Sequence, residues 1–437
     1  MEWYLAFAVI FGSFILLLAT GMPVAFAFLI VNMMGMGIFY GGVPALLQLI
    51  NHIFSGLATV TYLPMVLFIL LGNVVFSSEI SLKMLGVVDV WLGRLPGRLG
   101  IASVVSGVGL GALTGDTTAS TAILAKSLVP EMEKRGYKKP MSVGPVLGSC
   151  GLAMMIPPSN KAILIGVLGD ISIAGMLMAG ILPGLLMALF YVLYILIRVW
   201  LQPSLAPSYP LPSSSLFHKL WVTVRDLLPL LVIVFAIIGF ILLGITTPSE
   251  AAATGTLATF ILAAVYRGLN WERFKTIFVN TVDVCAMAFL LIMSAEAFSQ
   301  LLAISGAARG LAALFSQLQW NKVQLLLVVQ LLPLLLGMFM GGTAVLMITL
   351  PLVLPIVHTL GINPLLYGVT LLLCIEIGST SPPFGWNLFV MKIMGPPDTT
   401  IGDCYRGALP FIGCDLIVLA LMISFPSIAL WLPSVMR

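Results

Sequence analysis

Asp116, Lys161 and Glu376 stand inside long apolar stretches. Asp116 lies in "LTGDTTAS", Lys161 follows "MMIPPSN", and Glu376 comes just before "GSTSPPFGWN". A charge at the centre of a bilayer costs at least ~2.5–3.5 kcal/mol, so an intramembrane ionisable group is a functional candidate by default. Around these charges gather Gly, Ser, Thr and Asn, in clusters at 114–120, 340–344, 156–160 and 378–387. No HExxH motif occurs, and "LTGD" lacks the first glycine of a GxGD protease motif. The chemistry these residue types offer is coordination rather than catalysis. Unwound carbonyls can hold Na⁺ at roughly 2.4 Å, by hard-cation geometry. A half-helix N-terminus can receive a carboxylate through its free N–H groups and dipole. Small residues also serve helix packing in membranes. Four matched clusters, two of them carrying Pro-Pro, point instead to a midplane site for a cation and an anionic solute.

Such a site needs helices to carry it. The chain of 437 residues is 60% hydrophobic and 8% charged. A soluble domain carries about 25% charged residues, so these few cannot cover a water-facing surface. The composition predicts an all-α polytopic membrane protein, and the net charge of +4 gives no sign of nucleic-acid binding. The five cysteines form no CxxC and read as small core residues. The N-terminal segment lacks a basic leader and reads as a retained first span.

The sequence repeats at an offset of 225. Pro157 and Pro158 map onto Pro382 and Pro383, Pro130 onto Pro355, Pro23 onto Pro248, and Gly136 onto Gly361. The basic loop "EMEKRGYKK" has an uncharged counterpart in "IVHTLGINP", whereas "RGLNWERFK" is the basic partner of an uncharged stretch near Gly42. Equivalent loops with opposite charge bias lie on opposite sides of the membrane. Two inverted-topology repeats follow, each with a re-entrant hairpin and a broken transmembrane helix, a secondary-transporter signature. The first repeat is expected over 1–205, with scaffold helices 1–98, hairpin 99–130, broken helix 141–176 and helix 177–200. A linker and interfacial helix occupy 206–226. The second repeat covers 227–437, with scaffold helices 227–321, hairpin 322–357, broken helix 364–398 and helix 404–432. The N-terminus is then periplasmic. A channel or an intramembrane enzyme fits this pattern less well than alternating access.

The stretches "LTGDTTASTA…LVPEMEKRGYKKP", "LAMMIPPS", "TTPSEAAATG", "GGTAVLMITLPLVLP" and "SPPFGWNLFVMK" resemble the large membrane subunit of TRAP transporters, the tripartite ATP-independent periplasmic systems. The resemblance covers nearly the whole chain. It implies an elevator-type transporter of the bacterial inner membrane, driving Na⁺-coupled uptake of a small organic acid, a carboxylate or sulfonate. It implies a periplasmic solute-binding protein and a small membrane subunit of about four helices, here expected as a separate chain. By motif, Na⁺ sites would draw on Gly115, Asp116, Ser120 and Pro157 in one half. In the other they would draw on Gly341, Gly342, Thr343, Gly378, Ser379, Thr380 and Ser381. The solute would lie near Thr117, Thr118, Ser159, Asn160, Thr343 and Asn387. No organic cofactor is implied. A stand-alone divalent-anion/Na⁺ symporter-type carrier is the alternative with similar architecture.

Two residues depart from that family. Asp116 stands where a small Ser-like residue is common, and Lys161 where an apolar one is usual. They form a candidate charge pair across the first site; alternatively Asp116 caps a helix while Lys161 lines the aqueous pathway. Glu376 is the candidate coupling carboxylate. Glu250, after Pro248, reads as a helix-start residue complementing the dipole. If Asp116 and Lys161 pair, D116N and K161M each remove most solute uptake and the double variant recovers part of it. Equal, unrelieved loss in the double variant would count against pairing.

Overall fold

The computed structural model describes residues 2–41, 59–78, 97–207, 215–266, 268–317 and 320–436, with isolated positions between 44 and 51 and between 86 and 95. The end of the expected scaffold helices, over 79–96, and the linker segment 208–214 fall largely or wholly outside the described residues. Among those residues every regular element is helical. Among the described residues, seven helical stretches are long and apolar enough to cross a membrane.

The first half contains α1 (Trp3–Ala19), α2 (Val24–Tyr40), α3 (Leu63–Ser77), α4 (Arg98–Thr114), α5 (Thr117–Lys134), α6 (Lys139–Met155), α7 (Asn160–Leu168) and α8 (Ile173–Leu201). A short α9 (Leu216–Val222) leads into α10 (Leu228–Leu242), then α11 (Pro248–Val265), α12 (Trp271–Ile304) and α13 (Ala307–Gln317). The chain closes with α14 (Lys322–Gly337), α15 (Gly342–Thr359), α16 (Pro364–Thr380), α17 (Trp386–Met394), α18 (Ile401–Ser424) and α19 (Ser427–Val435). Adding 225 to the bounds of α5 and α6 gives those of α15 and α16. The pairs α4/α14, α7/α17 and α8/α18 agree to within a few residues.

Local chemistry sets the helix starts. Thr247 and Glu250 form a reciprocal capping box with Pro248 at the first turn, so Glu250 spends its carboxylate on the cap. Asn321 with Gln324 and Thr400 with Asp403 do the same for α14 and α18. Asn363 caps α16, which begins on Pro364. The expected interfacial helix is not separate: 216–242 runs on as one helical stretch through a π-turn at Thr223–Leu227. The last span, expected as one helix over 404–432, is broken between α18 and α19 at Phe425–Pro426, because proline cannot donate to the helix ladder.

The helices sort into an outer and an inner set. In the outer set α2 and α3 pack on α12, and α10 and α3 on α11. Phe14, Phe28 and Phe298 join α1, α2 and α12, with Phe14–Phe28 centroids 4.4 Å apart. Asn32 donates to the Ser294 carbonyl at 2.8 Å, and Tyr62 donates to Glu296 Oε1 at 2.6 Å. Glu296 is therefore held by a tyrosine within this outer packing.

The inner set centres on α6 and α16, which pack on their hairpin arms α4 and α14 and on α18. Tyr191 of α8 donates a short hydrogen bond to Asp415 of α18, and both side chains are buried. All five cysteines are buried and free. Where α6 crosses α18, Gly144 and Gly407 meet backbone to backbone: a Cβ on Gly144 would stand 2.6 Å from the Gly407 carbonyl oxygen and 2.9 Å from the Phe411 ring. Gly144→Val should therefore cost about 1–3 kcal/mol through overpacking, read as a lower melting temperature in lipid nanodiscs. Gly413→Ala, on α18 with nothing within 4 Å of its Cβ position, should leave the melt unchanged or slightly raised.

Candidate functional site

The first tip is the turn between α4 and α5. Gly115 takes φ +59°, and a Cβ there would lie 2.3 Å from the Pro158 carbonyl oxygen. Only glycine meets both conditions. The Asn160 backbone N–H donates to the Gly115 carbonyl at 3.2 Å, so tip and helix break are stitched to each other. Ser120, fully buried, shares a hydrogen bond with Thr114 at 3.0 Å. Thr117 is buried at the start of α5, and the Ser159 hydroxyl caps α7 by accepting from Ala162 N–H. Thr118 is half-buried on α5. Pro157 and Pro158 are joined by a cis bond, as are Pro382 and Pro383.

Asp116 turns one carboxylate oxygen to the start of α5 and the other toward Lys161. Its Oδ1 accepts from Ala119 N–H at 3.0 Å and caps α5. Its Oδ2 lies 3.7 Å from Lys161 Nζ, close enough for an ion pair and too long for a direct hydrogen bond. The Lys161 side chain is buried, and its Cε lies 3.0 Å from where a Gly342 Cβ would stand. It thus spans from the first tip to the second.

In the second half, Ser379, Thr380 and Ser381 are buried at the end of α16, and their hydroxyls bond back to the Glu376 and Ile377 carbonyls. Glu376 is 1% exposed and lies against Gly151 of α6. Gly378 meets Gly337 of α14 backbone to backbone, while Gly341 at the second tip faces open space. Thr343 begins α15 half-buried. Asn387 is fully buried, and its amide donates to Ser379 Oγ at 3.4 Å. Lys392 donates to the Thr399 carbonyl, which places its ammonium beyond the end of α17. The half-helices pack crosswise: α7 against α15 and α17 against α5.

Two buried amide oxygens, Asn160 Oδ1 and Asn387 Oδ1, have no hydrogen-bond partner among the described residues. Each sits at the start of the half-helix after a break. An orphaned buried acceptor is costly and suits a bound cation or donor. Among the described residues no three His, Cys, Asp or Glu side chains gather. Carbonyl, hydroxyl and amide oxygens gather near the breaks, with the Asp116 and Glu376 carboxylates beside them, and such oxygens suit a hard cation.

A cavity of about 250 Å³ lies between the first tip and the outer helices. Thr114, Asp116 and Asn160 form its inner wall, and Asn73 of α3 and Asn280 of α12 its outer wall. Asp116 and Asn160 therefore reach this cavity, whereas Thr343 and Asn387 are not among its walls. Asn73 and Asn280 went unread in the sequence, although Asn73 is an amide in an otherwise apolar stretch ("LLGNVVF") and Asn280 is one of several polar residues with Thr281 and Asp283 ("FVNTVD"). A second cavity, of about 330 Å³, is almost wholly apolar and opens between α4, α8 and α10 beside Pro157.

The profile described as the DctM component of the tripartite ATP-independent periplasmic transporters matches residues 11–428. The chain is 30% identical over 434 residues to the uncharacterised protein YgiK of Salmonella typhimurium, spanning 99% of this chain and 98% of that one. It is also 30% identical over 436 residues to the sialic acid TRAP transporter large permease protein SiaM of Vibrio cholerae, spanning 97% of each. Among solved structures, MtrF of Neisseria gonorrhoeae, described within a class of antimetabolite efflux pumps, matches with a TM-score of 0.62. That match spans 92% of this chain and 95% of the other at 12% identity, and speaks to the fold alone. With a family match over nearly its full length, this multi-pass membrane protein belongs to the TRAP transporter large permease (DctM) family, whose members serve solute uptake beside a small membrane subunit and a periplasmic binding protein.

Proposed function

We propose that the chain drives Na⁺-coupled uptake of a small organic acid across the bacterial inner membrane, receiving it from a periplasmic solute-binding protein. The observation that carries this reading is the matched pair of helix breaks, each with a buried, unpartnered Asn oxygen at the start of its half-helix. Asn160, with the carbonyls around Gly115 and Pro157, would hold one cation. Asn387, with the oxygens of 378–381, would hold another. Bound Na⁺ supplies positive charge where the solute's carboxylate must be desolvated. Asp116, Asn160, Asn73 and Asn280 orient the solute's polar groups in the cavity between the inner and outer helix sets. The acid class agrees with the sialic acid named for one relative.

The inner set, 98–201 with 322–435, moves as the elevator against the outer one, and the two halves are inverted repeats. Lys139, at the start of α6, supports the inversion. Its ammonium pairs with Glu133 at 2.8 Å and with Asp398, after α17, at 2.9 Å. The beginning of one broken helix and the end of the other thus share a face of the membrane. Lys134, Arg135 and Lys138 beside it mark that face as cytoplasmic, which leaves the N-terminus periplasmic. The Lys139 ammonium also holds the Asp398 carboxyl below the usual carboxylate range. A separate small membrane subunit completes the complex.

The test is uptake into proteoliposomes holding the chain and its small subunit, under an inward Na⁺ gradient, with organic acids first screened on the binding protein. Accumulation should need both sodium and the binding protein and fall to background without either. Uptake indifferent to the binding protein would turn the reading to a stand-alone carrier. Uptake indifferent to sodium would remove the coupling ion.

A further inference from the structure

Lys161 is a full positive charge in an inner half-helix, and the function above gives it no task. Its side chain is 8% exposed. Its Nζ lies 3.7 Å from Asp116 Oδ2 at the first tip, and its Cε packs on Gly342 at the second. The Gly342 Cβ position that packs on Lys161 also lies 2.7 Å from the side chain of Ile375, one residue before the buried Glu376. The ammonium thus pairs with the carboxylate of the first tip while the stem that carries it packs on the second tip. Lys161 is absent from the walls of the cavity that Asp116 and Asn160 line, so it stands behind the tip and not in the solute's path. The corresponding position in the second half, 225 residues on, is Trp386, which carries no charge.

We propose that Lys161 is a tethered cation: its ammonium holds the place that a free monovalent ion would otherwise take between the two tips. This rests on the sodium-coupled reading and refines it, because a charge supplied by the protein is not carried across the membrane with the solute. An ammonium and Na⁺ have the same charge and both are attracted to carboxylate oxygens. Removing the ammonium leaves the Asp116 carboxylate without its positive partner beside the buried cluster at the tips, and the least costly replacement is a small cation from solution.

The test uses the complex of the chain with its small subunit in lipid nanodiscs, melted in choline, sodium, lithium and potassium chloride at equal ionic strength. Lys161→Met and Lys161→Gln should melt lower than the parent in choline and recover in sodium. Their sodium response should exceed the parent's by one added site. At ten times its dissociation constant, such a site shifts the folded-to-unfolded ratio by roughly elevenfold. Lys161→Arg, which keeps the charge, should follow the parent. The proposal is overturned if the Met and Gln variants show the parent's sodium response. It is equally overturned if they fail to fold even in high sodium, since a free ion should then replace the tethered one. A parent that ignores sodium altogether would remove the coupling reading but leave this variant-against-parent comparison intact.

Discussion

Every peptide group at membrane depth needs a hydrogen-bond partner inside the protein, and a Pro-Pro pair removes two donors where water is absent. The arrangement of the inner helices follows from meeting that need twice. At the first break the Pro158 carbonyl lies against Gly115, while the Gly115 carbonyl accepts from Asn160. At the second, the Pro383 carbonyl accepts from Tyr405, Gly385 N–H donates to Ser381, and the serines turn their hydroxyls back onto the helix end. The remedy works only under cover. The segment Lys139–Leu168 is 83% buried in its apolar window, against 17% for Leu216–Leu242, so the broken helix must be central and the intact one peripheral.

The crosswise packing of α7 on α15 and α17 on α5 ties each break to the opposite hairpin. A change at one tip therefore meets the other half of the chain directly. The halves are nonetheless unequal. Gly115 is wedged under a carbonyl, whereas Gly341 has free space around it. Asp116 and Lys161 charge the first tip, and the second has no counterpart. A duplicated frame with one charged tip and one neutral tip can assign different tasks to its two ends.

Much of the helical frame was legible because prolines and glycines punctuate apolar sequence in a fixed order. Hairpin arms and broken helices were locatable from Pro130, Pro157–Pro158 and their partners at 225. Bounds were less legible where punctuation was weak. Nothing between "LWVTVRD" and "LLPLL" announces that α9 and α10 run on as one stretch. The meeting of Asp116 and Lys161 could be suspected from two stray charges, but the approach of Lys161 to Gly342 depends on the crosswise packing, which no local pattern encodes. Asn73 and Asn280 were visible as amides within membrane-length helices, yet only the packing of α3 and α12 brings them to one cavity. The Tyr191–Asp415 contact joins residues 224 apart, and neither sits in a motif.

The outer helices are bound to one another by directional contacts, with Thr256 donating to the Leu67 carbonyl and Asn73 to Thr281. The apolar void where α10 faces α4 and α8 has the opposite character: Val105, Val108, Leu185, Leu230 and Phe235 present methyl groups and a ring across empty space. A hydrogen bond resists displacement in every direction, whereas dispersion contacts between smooth apolar surfaces can be exchanged one for another at nearly constant energy. The void is thus a seam without directional ties among the side chains that line it, and its looseness forgoes part of the dispersion energy that close packing would supply.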